Sequence, residues 1–385
     1  MTVSPTPRSS SLASRARDSS ASMTLPQVGA ASDLPFRKAI LTAPRWLSVM
    51  AILSTAAIIL TIMCLQVGTL YVSIGEILRV IGRAVGILNV SSDESGSPID
   101  TIVLQLRMPR VFLGFLVGGS LASVGVILQA LLRNPLADPY ILGVSSGSAL
   151  GVSLAILFGV GTMAWAIPIL PVYGFLGGLL ALLVLYRMSA TYDRLPVHSV
   201  LLAGVILNAI FSAVIMFVTS IMEPNRSFAT MAWLMGSLAA PADQTLLALS
   251  AYLVICLAFL FKHMSVLNIM TLGEEPARSL GVDTERAKRR ILMTAALITG
   301  AVVSVSGMIG FIGMVIPHAI RLVLGTDHRL LLPASALVGG MFLMTADTFA
   351  RSFFAPSELP VGIVTALAGG PFFIYLLVWR KDRLP

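Results

Sequence analysis

Apolar runs, most of them close to twenty residues long, recur along this chain near 46–67, 110–132, 144–161, 165–187, 198–222, 244–261, 290–306, 308–324, 331–350 and 360–379. A helix needs roughly 20 apolar residues to cross the hydrocarbon core of a bilayer, and it satisfies its own backbone polar groups there. The chain is therefore expected to be an all-α polytopic membrane protein with about ten transmembrane helices. Composition agrees: 56% of residues are hydrophobic, 11% are charged, and mean hydropathy is +0.90. Soluble domains carry about 25% charged residues, so a water-soluble fold of this length is excluded. The boundary inside 290–324 is the least sharp, because Gly307, Gly310 and Gly313 interrupt the pattern.

Residues 1–43 differ from everything after them. They are rich in Ser, Pro and Arg, poor in acids and without periodicity, which predicts a disordered cytoplasmic tail. Arg-rich, acid-poor composition also fits a transit peptide, and Met23 is a candidate alternative start. Residues 44–383 are expected to form one transmembrane domain.

The net charge of +8 reports topology rather than nucleic-acid binding. With the N-terminus placed in the cytoplasm, twenty of the 26 Lys and Arg residues fall inside and six fall outside. The six are Arg79, Arg83, Arg107, Arg110, Arg226 and Arg351. This bias supports the cytoplasmic N-terminus, and an even number of helices then puts both termini in the cytoplasm. Residues 74–86, after Ser73 as N-cap, place Ile74, Ile77, Leu78 and Ile81 among Glu76, Arg79 and Arg83, the pattern of a short amphipathic helix on the outer surface.

Small residues recur at close-packing intervals: Gly143, Gly147 and Gly151 on one run, Gly174 and Gly178 on the next. Such spacing lets helices approach closely in lipid.

Enzymatic signatures are missing. None of the four lysines (Lys38, Lys262, Lys288, Lys381) lies in a GxxxxGK[ST] phosphate loop, so the chain is not expected to hydrolyse ATP. No HExxH, GxSxG or metal-ligand cluster occurs, and no cofactor, catalytic residue or metal site is expected. Cys64 and Cys256 lie alone in apolar runs and read as small buried hydrophobes. His318 reads as a structural hydrogen-bonding group. Within the spans only Asp347 could serve an ion-driven carrier, and Arg351, four residues on, suggests a local ion pair instead.

Two connections stand out. Arg133-Asn134-Pro135-Leu136-Ala137-Asp138-Pro139 places helix breakers between two apolar runs, as a built corner would. The longest inner loop, 262–290, contains Leu272-Gly273-Glu274-Glu275-Pro276-Ala277-Arg278-Ser279-Leu280-Gly281. Its acids fall in a first turn and Gly281 supplies a stop, so a short helix is expected there. Asp283 should cap a second helix running into the next span. With Ala277 and Leu280 three apart, the short helix could present a knob to a cytoplasmic partner, or it could be an ordinary amphipathic connector.

Together these motifs resemble the permease subunits of bacterial ATP-binding-cassette (ABC) importers for iron-siderophore, haem and vitamin B12. The pieces that carry the resemblance are Arg107-Met108-Pro109-Arg110, Gly118 to Gln129, Asn134 to Pro139, Leu202-Ala203-Gly204 and Leu272 to Gly281. Gly307 to Gly313, Pro317-His318 with Arg321, Glu358-Leu359-Pro360 and Gly369-Gly370-Pro371 complete the set. The resemblance implies a type II importer permease fold and two permease subunits around one pathway. It also implies two cytoplasmic ATPases and an extracytoplasmic substrate-binding protein, with a ferric siderophore as the first-named cargo and cobalamin or haem next. By the same resemblance, Arg107, Arg110 and Arg351 dock the binding protein. Residues Leu272, Gly273, Glu274, Glu275, Ala277, Arg278, Ser279, Leu280 and Gly281 couple to the ATPase. Asn134, Leu136, Val197 and His198 form the inner gate, although His198 and the extended N-terminus depart from the family pattern. A bulky charged residue at 277 is expected to lower coupling and leave the fold intact. A secondary carrier and a membrane scaffold without transport are the competing functions.

Overall fold

The computed structural model describes residue 2 and residues 41–86, 97–160, 163–164, 167–190, 195–239, 243–353, 355 and 357–379. Most of the expected tail, together with Arg194, Arg380, Lys381 and Arg383, lies outside them. Helices α1 (Ala43–Gln66), α2 (Ile74–Ala84) and α3 (Pro98–Asp100) come first. A π-helical stretch, Thr101–Arg107, joins α3 to α4 (Met108–Leu131). A 3₁₀ turn, Pro139–Leu142, precedes α5 (Val144–Leu157), and a two-residue antiparallel ladder of β1 (Met163–Ala164) and β2 (Ile167–Pro168) leads into α6 (Ile169–Ser189). Then follow α7 (Val197–Ser220), α8 (Pro224–Leu234), α9 (Asp243–Lys262), α10 (Met264–Met270) and α11 (Glu274–Ser279). The chain closes with α12 (Thr284–Ser306), α13 (Ile312–Leu324), α14 (His328–Phe353) and α15 (Val361–Trp379).

Among the described residues seven helices are long and apolar enough to cross a membrane: α1, the continuous helix from Pro98 to Leu131, α6, α7, α9, α12 and α14. Three more, α5, α13 and α15, are apolar and shorter. The unexpected feature is the extension of α4 backwards through the π-helical turn, which at 34 residues and 1.5 Å per residue outruns the bilayer core.

The described residues from Leu41 onward form one compact unit. At its centre α4, α12 and α14 are largely buried, whereas α1, α6, α7 and α9 keep most of their apolar surface exposed. Glycine explains the close packing at the centre. Gly118 and Gly119 of α4 meet the Gly339 and Ala336 carbonyls of α14, and Gly125 meets the Gly313 carbonyl at the start of α13. A Cβ on Gly125 would collide with that carbonyl oxygen. Gly125→Ala is therefore expected to force α4 and α13 apart at a cost of about 1–3 kcal/mol, read as a melting midpoint several degrees lower in detergent. An unchanged midpoint would refute the close approach.

The spaced glycines do mark close packing: Gly147 and Gly151 of α5 meet Gly177 and the Tyr173 carbonyl of α6, Gly178 meets Ser148, and Gly174 lies against Ser304 of α12 and Val152 of α5. Gly143 is a correction. It sits at the N-cap of α5 with φ +76°, a left-handed turn that glycine adopts without a Cβ penalty, and it packs closely on Gly204 and Leu207 of α7 rather than on α6. Pro139 of the 3₁₀ turn lies against Gly313, where the chain leaves the irregular segment 307–311.

Helix α2 has the capping box its sequence suggests. The Ser73 hydroxyl accepts from the Glu76 backbone N–H, and Glu76 accepts from the Ser73 N–H in return. Ile77 and Val80 are buried, and Ile74 and Leu78 are exposed.

Candidate functional site

Arg107 and Arg110 stand at the start of α4, and Asn134 follows its end. A helix of this length separates them by about 35 Å. Two candidate regions therefore occupy opposite ends of the bundle.

At the arginine end, Arg107, Arg110, Arg351 and Glu358 line one cleft of ≈ 410 Å³. Arg107 is only 4% exposed. It donates to the carbonyls of Leu65 at 2.7 Å and Gln66 at 3.1 Å, and to that of Leu70. Arg351 is 8% exposed and donates to the Cys64 carbonyl at 2.6 Å. Two guanidinium groups thus cap the orphan carbonyls at the C-terminus of α1, which otherwise have no intrahelical partner. The Arg351 Nε finds no hydrogen-bond partner among the described residues. Arg110 is the one that pairs with acids. It grips Asp347 with Nε to Oδ2 at 2.9 Å and Nη2 to Oδ1 at 3.0 Å, and reaches the exposed Glu358 with Nη1 at 2.8 Å. The local pairing of Asp347 with Arg351 expected from their spacing is corrected: Asp347 pairs across helices with Arg110. The carbonyls that Arg107 and Arg351 bond do not neutralise their charge. Three arginines against two carboxylates leave the cleft one positive charge in excess.

At the opposite end, the 133–139 corner is built from two Asx turns. Asn134 accepts from the Leu136 backbone N–H and Asp138 from that of Tyr140, each at 2.9 Å. Arg133 takes φ +48° at the end of α4 and donates a long bond to the Met270 carbonyl, 3.4 Å away. A cavity of ≈ 580 Å³ is lined by Arg133, Leu195, Pro196, Val197, His198, Glu274, Arg278, Glu285 and Lys288. It brings the 195–198 turn together with the loop helix. Of the expected gate residues, Val197 and His198 line this cavity, Leu136 is exposed beside it in sequence, and Asn134 holds the corner's shape.

Burial raises the Asp138 carboxyl to about 6, against the hydrogen bond from Tyr140 that lowers it. A carboxyl raised above its unfolded value is stabilised protonated, so stability falls as pH rises from about 4 to about 6 and is flat above. Asp138→Asn keeps the acceptor and removes the titration. Its melting midpoint in detergent is expected to gain on wild type through that window and to hold a constant lead above it. Parallel profiles from pH 4 to 7 would refute the assignment.

The loop 262–290 folds as α10, α11 and the first turn of α12. The helix is shorter than the 272–281 segment expected, and Asp283 caps α12 through the Arg286 N–H at 3.1 Å. Ala277 is corrected: it is fully buried beneath α11, packed with the core, so it cannot be a knob. The exposed apolar side chains are Leu272, 67% accessible, and Leu280, 62% accessible. Among the described residues no cluster of three or more His, Cys, Asp or Glu side chains could hold a metal.

The profile of the FecCD transport family matches residues 56–379, which is nearly the whole helical unit. The chain belongs to the FecCD transport family. This FecCD protein is 43% identical over 288 residues to the cobalamin import system permease protein BtuC of Halobacterium salinarum, covering 73% of this chain and 74% of that one. It is 42% identical over 289 residues to the hemin transport system permease protein HmuU of Yersinia pestis, covering 73% and 84%. Among solved structures it matches a transporter described as of the metal-chelate ABC type, in an inward-facing conformation, with TM-score 0.72 and 29% identity over 86% of this chain and 99% of that one. The FecCD chain is accordingly an all-helical membrane permease of the iron-siderophore, haem and vitamin B12 importer family, and the resemblance read from its motifs holds.

Proposed function

We propose that this chain is the membrane-spanning subunit of an ABC importer that carries a metal chelate across the cytoplasmic membrane. The observation that carries the proposal is the family match across 56–379, in a chain with no phosphate-binding loop of its own. Energy then comes from two cytoplasmic ATPase subunits, and a second permease subunit completes the pathway. Both termini face the cytoplasm, as the distribution of basic residues supports.

In this reading the cleft around Arg107, Arg110 and Arg351 faces outward, and its excess positive charge attracts an acidic substrate-binding protein. Arg107 and Arg351 hold α1 in place and contribute field, while Arg110 exchanges Glu358 for a carboxylate of the partner. At the other end α11, with Leu272 and Leu280 exposed, seats on the ATPase. Nucleotide-driven motion of the loop moves the helices as rigid bodies and opens or shuts the cavity beside Val197 and His198. Asn134 and Leu136 set the facing corner.

The cargo class is a large organic ligand holding a metal. A ferric siderophore is the first expectation from sequence, with cobalamin and haem beside it, and relatives named for cobalamin and hemin transport keep all three in the set. The test is uptake into vesicles holding the permease, its ATPase and the loaded binding protein, with ferric hydroxamate, haemin and cobalamin offered in turn. ATP-dependent, protonophore-resistant uptake of one chelate is expected, and none without the ATPase. Uptake by the permease alone would establish a secondary carrier and overturn the reading.

A further inference from the structure

Lys288 is 4% exposed and lies in the first turns of α12, where a lysine would ordinarily reach water. Its ammonium is instead held by two carboxylates, Glu274 of α11 at 2.8 Å and Glu285 of α12 at 2.9 Å. The Glu285 carboxylate divides its oxygens. Oε1 takes Lys288, and Oε2 accepts the backbone N–H of Leu195 at 3.0 Å, two residues before α7 begins. Arg278 bonds the Thr284 hydroxyl at 3.1 Å and adds charge to both acids at under 4 Å.

We propose that Lys288 and Glu285 are positioning residues that make the loop helix α11 and the 195–198 turn move as one body. The proposal rests on the coupling role assigned above to α11 and names the link by which its motion reaches the cavity. Burial gives that link its stiffness. A cation this enclosed is costly if either acid leaves, so Glu274 and Glu285 keep a fixed separation through any displacement. The hydrogen bond to Leu195 is charge-assisted and carries the displacement into the backbone ahead of α7. Among the described residues the opposite wall shows no comparable tie, since Arg133 reaches the Met270 carbonyl only at 3.4 Å. The loop therefore drags the α7 side of the cavity past a stationary α4 corner, changing the ≈ 580 Å³ space between them.

Hydrogen–deuterium exchange on the full permease, co-purified with its ATPase subunit, tests this with and without the non-hydrolysable ATP analogue AMP-PNP. In wild type, ATPase protects 272–281 and nucleotide alters exchange at 195–200. Lys288→Met and Glu285→Ala are expected to keep the protection at 272–281 and to lose at least four-fifths of the nucleotide response at 195–200. Uptake per ATP hydrolysed should fall at least tenfold. Lys288→Arg preserves the charge and should restore both, which a loss of folding in the first two variants could not mimic. A wild-type nucleotide response at 195–200 in Lys288→Met, with 272–281 still protected, overturns the proposal. So does a parallel fall of uptake and ATPase rate with no change in their ratio. Failure of the ATPase to protect 272–281 in wild type would sink the coupling role itself, a separate and recognisable result.

Discussion

Arg110→Met will destabilise this protein more than any other single change at the arginine end. It leaves Asp347, 1% exposed, without its hydrogen-bonding partner, with only the more distant charge of Arg351 to offset the buried carboxylate. Removing one partner of a buried pair costs about 3–5 kcal/mol, or a melting midpoint about 10 °C lower in detergent. Replacing both, Arg110→Met with Asp347→Leu, should recover most of that loss, because apolar side chains of similar volume often fill such a site without penalty. The recovered double variant then separates two roles. If Arg110 meets the binding protein, the well-folded double variant should still dock at least tenfold more weakly. A single variant that melts with wild type would refute the buried pair, and full docking affinity in the double variant would refute the contact with the partner.

At the opposite end the paired substitution Leu272→Asp and Leu280→Asp is expected to abolish ATP-dependent uptake and to leave the melting midpoint within a degree or two. Both side chains are mostly in solvent and hold nothing in place. Ala277→Asp should behave differently, lowering stability and uptake together, because it puts a carboxylate into the packed underside of α11. Co-purification of the ATPase subunit provides the check. The double aspartate variant should lose the ATPase with its fold intact. Retention of a normal complex and normal uptake would show that the exposed leucines are not the seat.

The helical architecture was legible because lipid imposes a single strong period: long apolar stretches became helices, and the caps at Ser73 and Asp283 sat where side chain and spacing placed them. The cross-helix chemistry was not legible. Asp347 and Arg110 are 237 positions apart, and spacing alone favoured the neighbour four residues on. Local pattern cannot weigh a partner that only the packing of α4 against α14 supplies. Ala277 failed for another reason. A helix of six residues holds fewer than two turns, too few for periodicity to say which face turns inward. Arg107 looked like an outward-facing cation because it opens the Arg107-Met108-Pro109-Arg110 motif, yet the carbonyls at the end of α1 drew it inside. The Lys288 cluster had a visible trace in the i, i+3 spacing of Glu285 and Lys288, but nothing local pointed to Glu274 or Leu195.

Helices α5 and α13 have 14 and 13 residues, about 20 Å of axis against roughly 30 Å of hydrocarbon. A helix that short cannot cross the hydrocarbon alone, so the breaks beside these two, 139–143 and 307–311, need partners within the protein for their peptide groups. The contact of Pro139 with Gly313 brings these two interruptions side by side, and other elements reach their flanks: Asn208 of α7 donates to the Tyr140 carbonyl at 2.9 Å, and the Ser237 N–H donates to the Ser306 carbonyl at 2.9 Å. A short element can thus sit in a thick membrane because its frayed end is met by side chains and backbone of neighbouring elements.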